Sequence, residues 1–217
     1  MKDSLNIVYE DENLLVANKP PGVLVDQSVS KEASLSDCVA SYAQRSVRSL
    51  HRLDRDTSGL VMFALNAKWN RQFSELFEKK RIRKAYWVVV RGDWDGRITK
   101  VDANIASVAP GRFCNHPTSG KPAVTTFRKM DSVEGYSWIQ ALPKTGRTHQ
   151  IRLHCVEAGY PIVGDRFYSD DSSNPLLLHA RSLVFKLPSS SRELSLVAEP
   201  PVSWKPWLER FENRKRS

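Results

Sequence analysis

The nonapeptide HRLDRDTSG at residues 51–59 surrounds a carboxylate with cations. Asp54 lies between Arg52 and Arg55, and the apolar stretch 60–65 follows directly. Two neighbouring guanidinium groups favour the ionised carboxylate, which in a sheltered site can act as a nucleophile or a base. Aspartate and serine before glycine are also ordinary turn formers, and flanking arginines form ordinary surface ion pairs. Taken alone, the loop leaves both a chemical and a structural role open for Asp54.

A second polar stretch, KTGRTHQIRLH at residues 144–154, opens a predicted helix over 148–158, and Gly159 is placed to end that helix. Glycine and small polar residues at a helix N-terminus can bring backbone N–H groups to a ligand oxyanion. Arg147 and Arg152 add guanidinium donors. A capped basic amphipathic helix explains the same pattern, so this stretch also has two readings when taken alone.

Metal and nucleotide sites are not indicated by the spacing of the candidate ligands. His149 and His154 are five residues apart, with Cys155 adjacent, whereas helical zinc pairs prefer a separation of four. CxxC, HExxH and GxGxxG are absent. Gly120-Lys121 is followed by proline and preceded by Asn115 where a phosphate-binding loop needs glycine. We therefore expect no metal and no cofactor.

Composition narrows the class of protein. The chain has 217 residues, of which 41% are hydrophobic, so a sizeable folded core is expected rather than disorder. No apolar stretch approaches the roughly 20 residues that span a bilayer, and no secretory signal is visible. An odd number of widely spaced cysteines suits a reducing cytosol: Cys38, Cys114 and Cys155. The net charge of +9 favours a polyanionic partner such as a nucleic acid.

The first half of the chain alternates strand and helix patterns. Residues 7–9 and 14–17 predict a hairpin, residues 23–25 an extended segment, and residues 60–65 a buried strand. Two helices are predicted, over 34–45 and over 67–80. The first is capped by Ser34 and turns Leu35, Val39 and Tyr42 to one face; the second is capped by Asn66 and carries Trp69, Phe73, Leu76 and Phe77 toward the core.

The second half favours strands. Strands are predicted at 85–90, 122–129, 136–142, 182–187 and 193–198. A last short helix, with Ser203 as its cap, would carry Trp204, Trp207 and Phe211. The pattern indicates an α+β protein with one large, mainly antiparallel sheet assembly and helices packed on it, without a clear domain boundary.

Together the motifs resemble one known family, the RluA-type pseudouridine synthases. Besides the two polar stretches, the resemblance rests on NKPPG, KAY, GYPIVGDRFY and PLLLHA, at 18–22, 84–86, 159–168 and 175–180. The matches occur in the family's order from about residue 7 to 200. The resemblance implies a pseudouridine synthase catalytic fold: a mixed, mostly antiparallel sheet with a central active-site cleft and flanking helices. It predicts a single domain over residues 1–217 without an S4 RNA-binding domain.

The activity implied by the resemblance is isomerisation of selected uridines in RNA. The uracil leaves C1′ of its ribose, turns and is rejoined through C5, without a metal, nucleotide or redox cofactor. The family's essential aspartate corresponds to Asp54. Whether this carboxylate adds to C1′, adds to C6 or acts as a base at C2′ stays open.

The resemblance also implies roles for other residues. Tyr86 is expected to lie against the target uracil, Arg152 to pair with Asp54, and Arg52 to help displace the flipped base. The basic run 79–84 is placed to hold phosphates, although a solvated helix end explains it equally well. The residues expected to contact RNA are Arg52, Arg55, Lys79, Lys80, Arg81, Arg147 and His149.

The expected partner is a stem-loop in tRNA, in large-subunit ribosomal RNA, or in both, and the expected protein is a cytoplasmic monomer. Some positions depart from the family pattern: residues 25–27 replace a His-Pro pair, Val88 replaces alanine and Ser169 replaces glycine. Two alternatives remain at this stage. One is a non-catalytic RNA-binding or RNA-folding protein on the same scaffold, and the other is an enzyme that acts on a small phosphorylated molecule.

Overall fold

The structure is a computed structural model that describes residues 5–27, 32–169, 171 and 173–214. The chain forms two compact units. Unit 1 comprises Met1–Lys84 and Ala180–Pro201, and unit 2 comprises Ala85–His179 and Val202–Ser217. The predicted single domain without an S4 domain stays a prediction.

The described residues contain eleven strands and four α-helices, which confirms the predicted α+β class. The strands are β1 (Ile7–Glu10), β2 (Leu14–Lys19), β3 (Arg48–Ser49), β4 (Ser58–Ala64), β5 (Arg83–Arg91), β6 (Lys100–Ala109), β7 (Arg112–His116), β8 (Lys121–Val133), β9 (Tyr136–Pro143), β10 (Leu178–Lys186) and β11 (Glu193–Val197). The helices are α1 (Leu35–Ala43), α2 (Asn70–Glu78), α3 (Gln150–Glu157) and α4 (Lys205–Arg214).

Unit 1 is built on the strand order β1-β2-β4-β10, with β11 paired to β10 and β3 paired to β4. The pairings β1–β2, β2–β4, β3–β4 and β10–β11 are antiparallel. The predicted hairpin at the start of the chain is confirmed as β1–β2. Its turn is closed by Asp11, whose Oδ1 accepts from the backbone N–H groups of Asn13 and Leu14, both at 2.8 Å.

Strand β4 is buried over its whole length because both faces of this sheet are covered. Leu60 and Met62 join one apolar cluster with Phe73 of α2, whereas Val61 and Phe63 join another with residues of α1. A strand covered on both faces reads as a continuous apolar run, which is why residues 60–65 were recognisable in the sequence.

Gly59 explains why the HRLDRDTSG motif ends in glycine. Its φ is +115°, and a Cβ atom at this position would lie 2.4 Å from the backbone oxygen of Ala180 in β10. A side chain here would therefore displace β10 from β4.

Helix α1 begins with a capping box in which Ser34 and Asp37 bond each other's backbone N–H, at 3.2 and 2.8 Å. Leu35 and Val39 are buried, whereas Tyr42, at the C-terminal end of the same helix, is not. Its ring is 53% exposed, and its hydroxyl donates to Glu10. Residues 23–25 form no strand; the carbonyl groups of residues 24 and 25 accept instead from the first backbone N–H groups of α1.

The predicted helix over 67–80 is a 3₁₀ turn at residues 67–69 followed by α2. Asn66 caps the 3₁₀ turn by accepting from the backbone N–H of Lys68 at 3.0 Å. The aromatic stripe is core, as predicted: Phe73 and Leu76 are buried, and Trp69 and Phe77 pack against the same cluster.

Unit 2 contains an antiparallel sheet in the order β5-β9-β8-β6-β7. The strands predicted for the second half of the chain are confirmed, but β6 and β7 were not predicted. Strand β6 reads KVDANIASVA and buries only Val101 and Ile105, four residues apart. Asp, Asn, Lys and Ala are depleted in strands, so neither composition nor alternation marked this segment.

The two helices of unit 2 start later than predicted. Helix α3 begins at Gln150, because His149 takes a left-handed conformation with φ of 56°. Ser203 is not the cap of α4, since it lies inside a 3₁₀ turn over residues 202–204. The predicted packing of this segment is confirmed for Trp204 and Phe211, which are both 1% exposed, and Trp207 packs partly buried against them. In the described part of the chain, no helix is both long and apolar enough to cross a bilayer.

Candidate active site

A buried lysine links the NKPPG segment to the loop that carries Asp54. Lys19 ends β2 and is 0% exposed. Its Nζ donates to the carbonyl oxygens of Pro20, Val23 and Arg55, at 2.9, 2.8 and 2.8 Å. Three acceptors match the three N–H donors of an ammonium group. The backbone N–H of Gly22 bonds the same Arg55 carbonyl at 2.9 Å, so two segments distant in sequence are held together.

Burial and two carboxylates have opposite effects on the pKa of Lys19. Burial lowers the pKa of Lys19 to about 7, while Asp56 and Asp54 oppose that shift. A charged amine without water is costly unless hydrogen bonds and opposite charge compensate. Lys19 is thus a cation that interacts electrostatically with Asp54, and the sequence analysis did not identify it.

Asp54 opens a tight turn between β3 and β4. Its carbonyl accepts from the backbone N–H of Thr57 at 3.1 Å, which closes a β-turn over residues 54–57. The Asp54 side chain is half-buried, whereas Arg52 and Arg55 are exposed. Arg55 donates through Nε to the carbonyl of Gly22 at 2.9 Å and pairs with Glu32 at 3.0 Å. Arg55 therefore braces the loop, in addition to its predicted contact with RNA.

His51, the first residue of the motif, holds the start of the loop against β4. Its Nε2 accepts from the backbone N–H of Met62 at 3.2 Å, and its ring lies 4.9 Å from that of Phe77. Burial, with a smaller contribution from the charge of Lys84, lowers the pKa of His51 to about 3. A neutral ring is consistent with Nε2 acting as an acceptor. This positioning role was not predicted, although the motif contains the residue.

Tyr86 lies on β5 in unit 2, directly opposite Ala141 of β9. It is half-buried and packs on a cluster that includes Val88 and Ile139. The basic run ahead of Tyr86 is exposed at four positions: Lys79, Lys80, Arg81 and Arg83. The predicted contact of Tyr86 with a uracil stays a prediction.

Arg152 lies in α3 and forms a buried ion pair that the sequence did not reveal. Its Nε and Nη2 donate to the two carboxylate oxygens of Asp165, at 2.8 and 2.6 Å, and the two side chains are 4% and 1% exposed. A bidentate pair fixes the plane of the guanidinium. It uses two of the five N–H donors of Arg152. The predicted pairing of Arg152 with Asp54 stays a prediction.

Gln150 fixes the KTGRTHQ segment onto β8. Its Oε1 accepts from Thr145 Oγ1 at 2.6 Å and from the backbone N–H of Arg147 at 3.0 Å. Its Nε2 donates to Val124 and Thr125, both at 3.0 Å. All four hydrogen bonds of the buried amide are thus made. Arg147 is exposed and donates through Nε to the carbonyl of Pro122, so its predicted contact with RNA remains sterically open.

His149 and His154 do not share a site. The Nδ1 atom of His149 lies 2.7 Å from the hydroxyl of Tyr168, and that of fully buried His154 lies 2.9 Å from Thr125 Oγ1. Within the described ranges, no three His, Cys, Asp or Glu side chains are grouped so that they could hold a metal ion. The three cysteines are free thiols, and only Cys155 is buried.

Comparison with known proteins identifies the class. Residues 13–157 match the family model of RNA pseudouridylate synthases. The matched span includes both polar stretches, Lys19 and Tyr86. The chain therefore belongs to the RNA pseudouridylate synthase family.

Curated relatives share about a third of the sequence. The chain is 32% identical to the ribosomal large subunit pseudouridine synthase C of Vibrio cholerae, over 88% of this chain and 64% of that protein. It is 33% identical to the tRNA pseudouridine synthase C of Haemophilus ducreyi, over 95% of this chain and 96% of that protein. The chain thus spans less than two thirds of the first relative and nearly all of the second.

Solved structures show the same fold. The human RNA pseudouridylate synthase domain containing 4 superposes with a TM-score of 0.83 at 25% identity, over 97% of this chain and 95% of that one. The human RNA pseudouridylate synthase domain containing 1 gives 0.77 at 28% identity, over 93% and 85%. The predicted pseudouridine synthase fold is confirmed.

Replacing Lys19 by methionine should destabilise the protein by about 2–4 kcal/mol, because three carbonyl oxygens lose their hydrogen-bond donor. Removal of the buried charge offsets only part of this loss. Urea unfolding measures this change. Lys68→Met is the matched control, because Lys68 is exposed in the same unit. We expect the control to stay within about 0.5 kcal/mol of wild type. A Lys19→Met protein as stable as wild type would show that the three bonds do not matter.

The stability of the protein should fall as the pH is lowered from about 6.5 to about 3, in part through His51. In that range the unfolded chain binds a proton at this position that the folded chain does not, so unfolding is favoured at lower pH. His51→Gln keeps an acceptor for Met62 but does not titrate, and its stability should depend less steeply on pH. Buried His154, whose pKa is also lowered, acts alike in both proteins. Parallel pH profiles for the two proteins would contradict the prediction.

Proposed function

We propose that this chain converts specific uridines in structured RNA to pseudouridine, with Asp54 as its catalytic carboxylate. One observation carries the proposal: the family match extends over residues 13–157 and so includes Asp54, Tyr86 and Arg152. The names of the relatives point to a stem-loop in tRNA, in large-subunit ribosomal RNA, or in both as the substrate. Such an enzyme would work in the cytoplasm, and we expect a monomer.

The reaction is an isomerisation, so its atoms balance without a co-reactant. The bond between C1′ and N1 breaks, the uracil turns, and a bond between C1′ and C5 forms. The proton that leaves C5 is matched by one gained at N1. Asp54 can assist by adding to the sugar or the base, or by taking a proton, because each role needs an ionised and well-aimed carboxylate.

The clamp formed by Lys19 supports this role for Asp54. It holds the carbonyl of the next residue, Arg55, at 2.8 Å, and the β-turn over residues 54–57 fixes the backbone on the other side. A carboxylate on a loop braced in this way needs little reordering when the substrate arrives.

Access to the glycosidic bond requires the uridine to leave its stack. Flipping a nucleotide costs a few kcal/mol, and stacking on an aromatic side chain returns about 1–3 kcal/mol. Tyr86 is our candidate for that platform, and Arg52, exposed beside Asp54, for the group that replaces the flipped base. Arg152, fixed by Asp165, is the candidate partner of the carboxylate.

Exposed cations at the end of α2 support contact with RNA phosphates. The helix ends in a Schellman motif, in which the backbone N–H of Arg81 bonds the carbonyl of Leu76 at 2.7 Å and that of Lys80 bonds Phe77 at 3.1 Å. Lys80 occupies the left-handed position of this motif with φ of 53°. Glycine is the usual residue at this position, and lysine is less stable there than glycine would be. The turn itself therefore does not account for the lysine.

Asp54→Asn should abolish pseudouridine formation while RNA affinity stays within about tenfold, because the amide keeps the shape but cannot act as a nucleophile or a base. Pseudouridine is mapped in total RNA from a strain that lacks the gene, before and after incubation with each protein. Asp93→Asn is the matched control, since Asp93 is exposed in unit 2 and forms a surface ion pair with Lys129. Sites restored equally by Asp54→Asn would remove Asp54 from the catalytic role, whereas a failure of the wild-type protein to form pseudouridine would favour the alternative of a non-catalytic RNA-binding or RNA-folding protein.

Lys80→Gly should weaken RNA binding without weakening the fold. It removes one cation and relieves the left-handed backbone, so the free energy of unfolding should be unchanged or higher. If Lys80 meets a phosphate, the slope of log K against log salt becomes shallower by roughly 0.7–0.9. Gln44→Gly is the matched control, because Gln44 ends α1 with φ of 52° and carries no charge. If the slope is unchanged in Lys80→Gly, the basic run 79–84 is better explained as a solvated helix end.

A further inference from the structure

A cluster of four aromatic rings in unit 2 includes three, those other than His149, that have no role in the site proposed so far. It consists of Phe113 from β7, His149 before α3, and Phe167 and Tyr168 from the loop that follows Asp165; we call these four residues the aromatic platform. The His149 ring centroid lies 5.6 Å from Phe113, 5.8 Å from Phe167 and 5.5 Å from Tyr168. The hydroxyl of Tyr168 lies 2.7 Å from His149 Nδ1, which adds a polar link.

Phe167 is the exposed member of the aromatic platform. Its side chain is 54% exposed, whereas most large apolar side chains of unit 2 are buried in clusters. An exposed phenylalanine gains little from the hydrophobic effect. Exposed single apolar residues are common, so exposure alone carries no weight. The way in which this ring is held is more informative.

The buried Asp165 fixes the loop that presents Phe167. One oxygen, Oδ1, accepts from Arg152 and also from the backbone N–H groups of Phe167 and Tyr168, at 3.0 and 3.3 Å. Because Asp165 is itself 1% exposed and paired with Arg152, these bonds form away from water. The ring of Phe167 is therefore held outward on a rigid support.

Two guanidinium groups lie against the same rings. The Cζ atom of Arg152 is 5.1 Å from the ring centroids of both Phe167 and Tyr168, and that of Arg166 is 5.5 Å from Phe167. Cations near an aromatic face attract it electrostatically. Arg152 is 4% exposed and paired with Asp165, whereas Arg166 is exposed. The surface thus combines an exposed ring with the positive charge of Arg166, in a chain whose net charge is +9.

We infer that the exposed ring of Phe167 stacks on an unpaired base of the RNA, at a position other than the uracil that Tyr86 receives. Ring and positive charge together are the combination that single-stranded nucleic acids select, because bases stack on the ring while phosphates meet the cations. This charge does not favour an apolar protein surface as the occupant. The inference rests on the proposed function for its choice of RNA.

Phe167→Leu should weaken binding of a fluorescein-labelled oligouridylate by roughly five- to hundredfold, the equivalent of one lost stacking contact. Phe167→Trp keeps an aromatic face and should bind within about threefold of wild type. A fully paired RNA duplex offers no unpaired base, so its affinity should change far less in Phe167→Leu. Fluorescence anisotropy at fixed salt measures the dissociation constant of each protein for each RNA.

Val202→Ala is the matched control for loss of exposed apolar surface, since Val202 is 85% exposed in the same unit. Thermal melting of each variant verifies the fold, which a change at a half-exposed ring should leave intact. The salt slope adds a second readout: Phe167→Leu should leave it unchanged, because no charge is lost.

Equal weakening of the single strand and the duplex would overturn the inference, because it would indicate lost charge or structure instead of lost stacking. Unchanged binding to both RNAs would also overturn the inference. The exposed ring would then be interpreted as a contact for another protein. The failure of the proposed function is distinguishable, since it would appear as missing pseudouridine with the wild-type protein. If the wild-type protein forms pseudouridine and Phe167→Leu binds RNA as tightly as wild type, only the proposed stacking contact is rejected.

Discussion

The Asp54 loop depends on one buried ammonium group. Lys19 donates three hydrogen bonds to carbonyl oxygens, interacts electrostatically with two carboxylates and is 0% exposed. Buried charges seldom stabilise a fold more than apolar side chains of the same volume would. What the ammonium provides is a fixed geometry, because its three donors bond the carbonyl oxygens of Pro20, Val23 and Arg55 at once. The family's two separate motifs are thus one structural device in unit 1.

A buried ion pair organises unit 2 in a similar way. Asp165 accepts from Arg152 and from two backbone N–H groups of its own loop, so one carboxylate sets both the plane of the guanidinium and the direction of Phe167. Removing either charge would leave the other buried and unpaired, which is far costlier than the pair itself. Any substitution at Asp165 would therefore disturb the candidate partner of Asp54 and the aromatic platform together, and it could not separate them.

Local signals made much of the fold predictable from the sequence. Ser34 and Asp37 announce a helix start, and the run 60–65 announces a strand buried on both faces, because each signal lies within a few neighbouring residues. Strand β6 was missed because its pairing with β8 and β7 outweighs a composition that disfavours strands. The site shows the same division. Asp54, Tyr86 and Arg152 were identified as candidates through motifs. The bond from Lys19 to Arg55, by contrast, spans 36 residues, and that from Arg152 to Asp165 joins helix α3 to a loop 13 residues further along the chain. No local pattern specifies such partners.

Strained backbone alone would not have located the proposed RNA contacts. Lys80 and His149 both take left-handed backbone conformations, which cost a non-glycine residue about 1–2 kcal/mol. The same conformation is found at Gln44, Glu134 and Ser191. What distinguishes the first two is the side chain that the strained position presents: an exposed cation ahead of Tyr86 in one case, and a ring in contact with Phe167 in the other. Glycine would satisfy the backbone better at both sites. The backbone therefore does not explain the side chains at these two positions, and contact with RNA is the explanation that we propose for them.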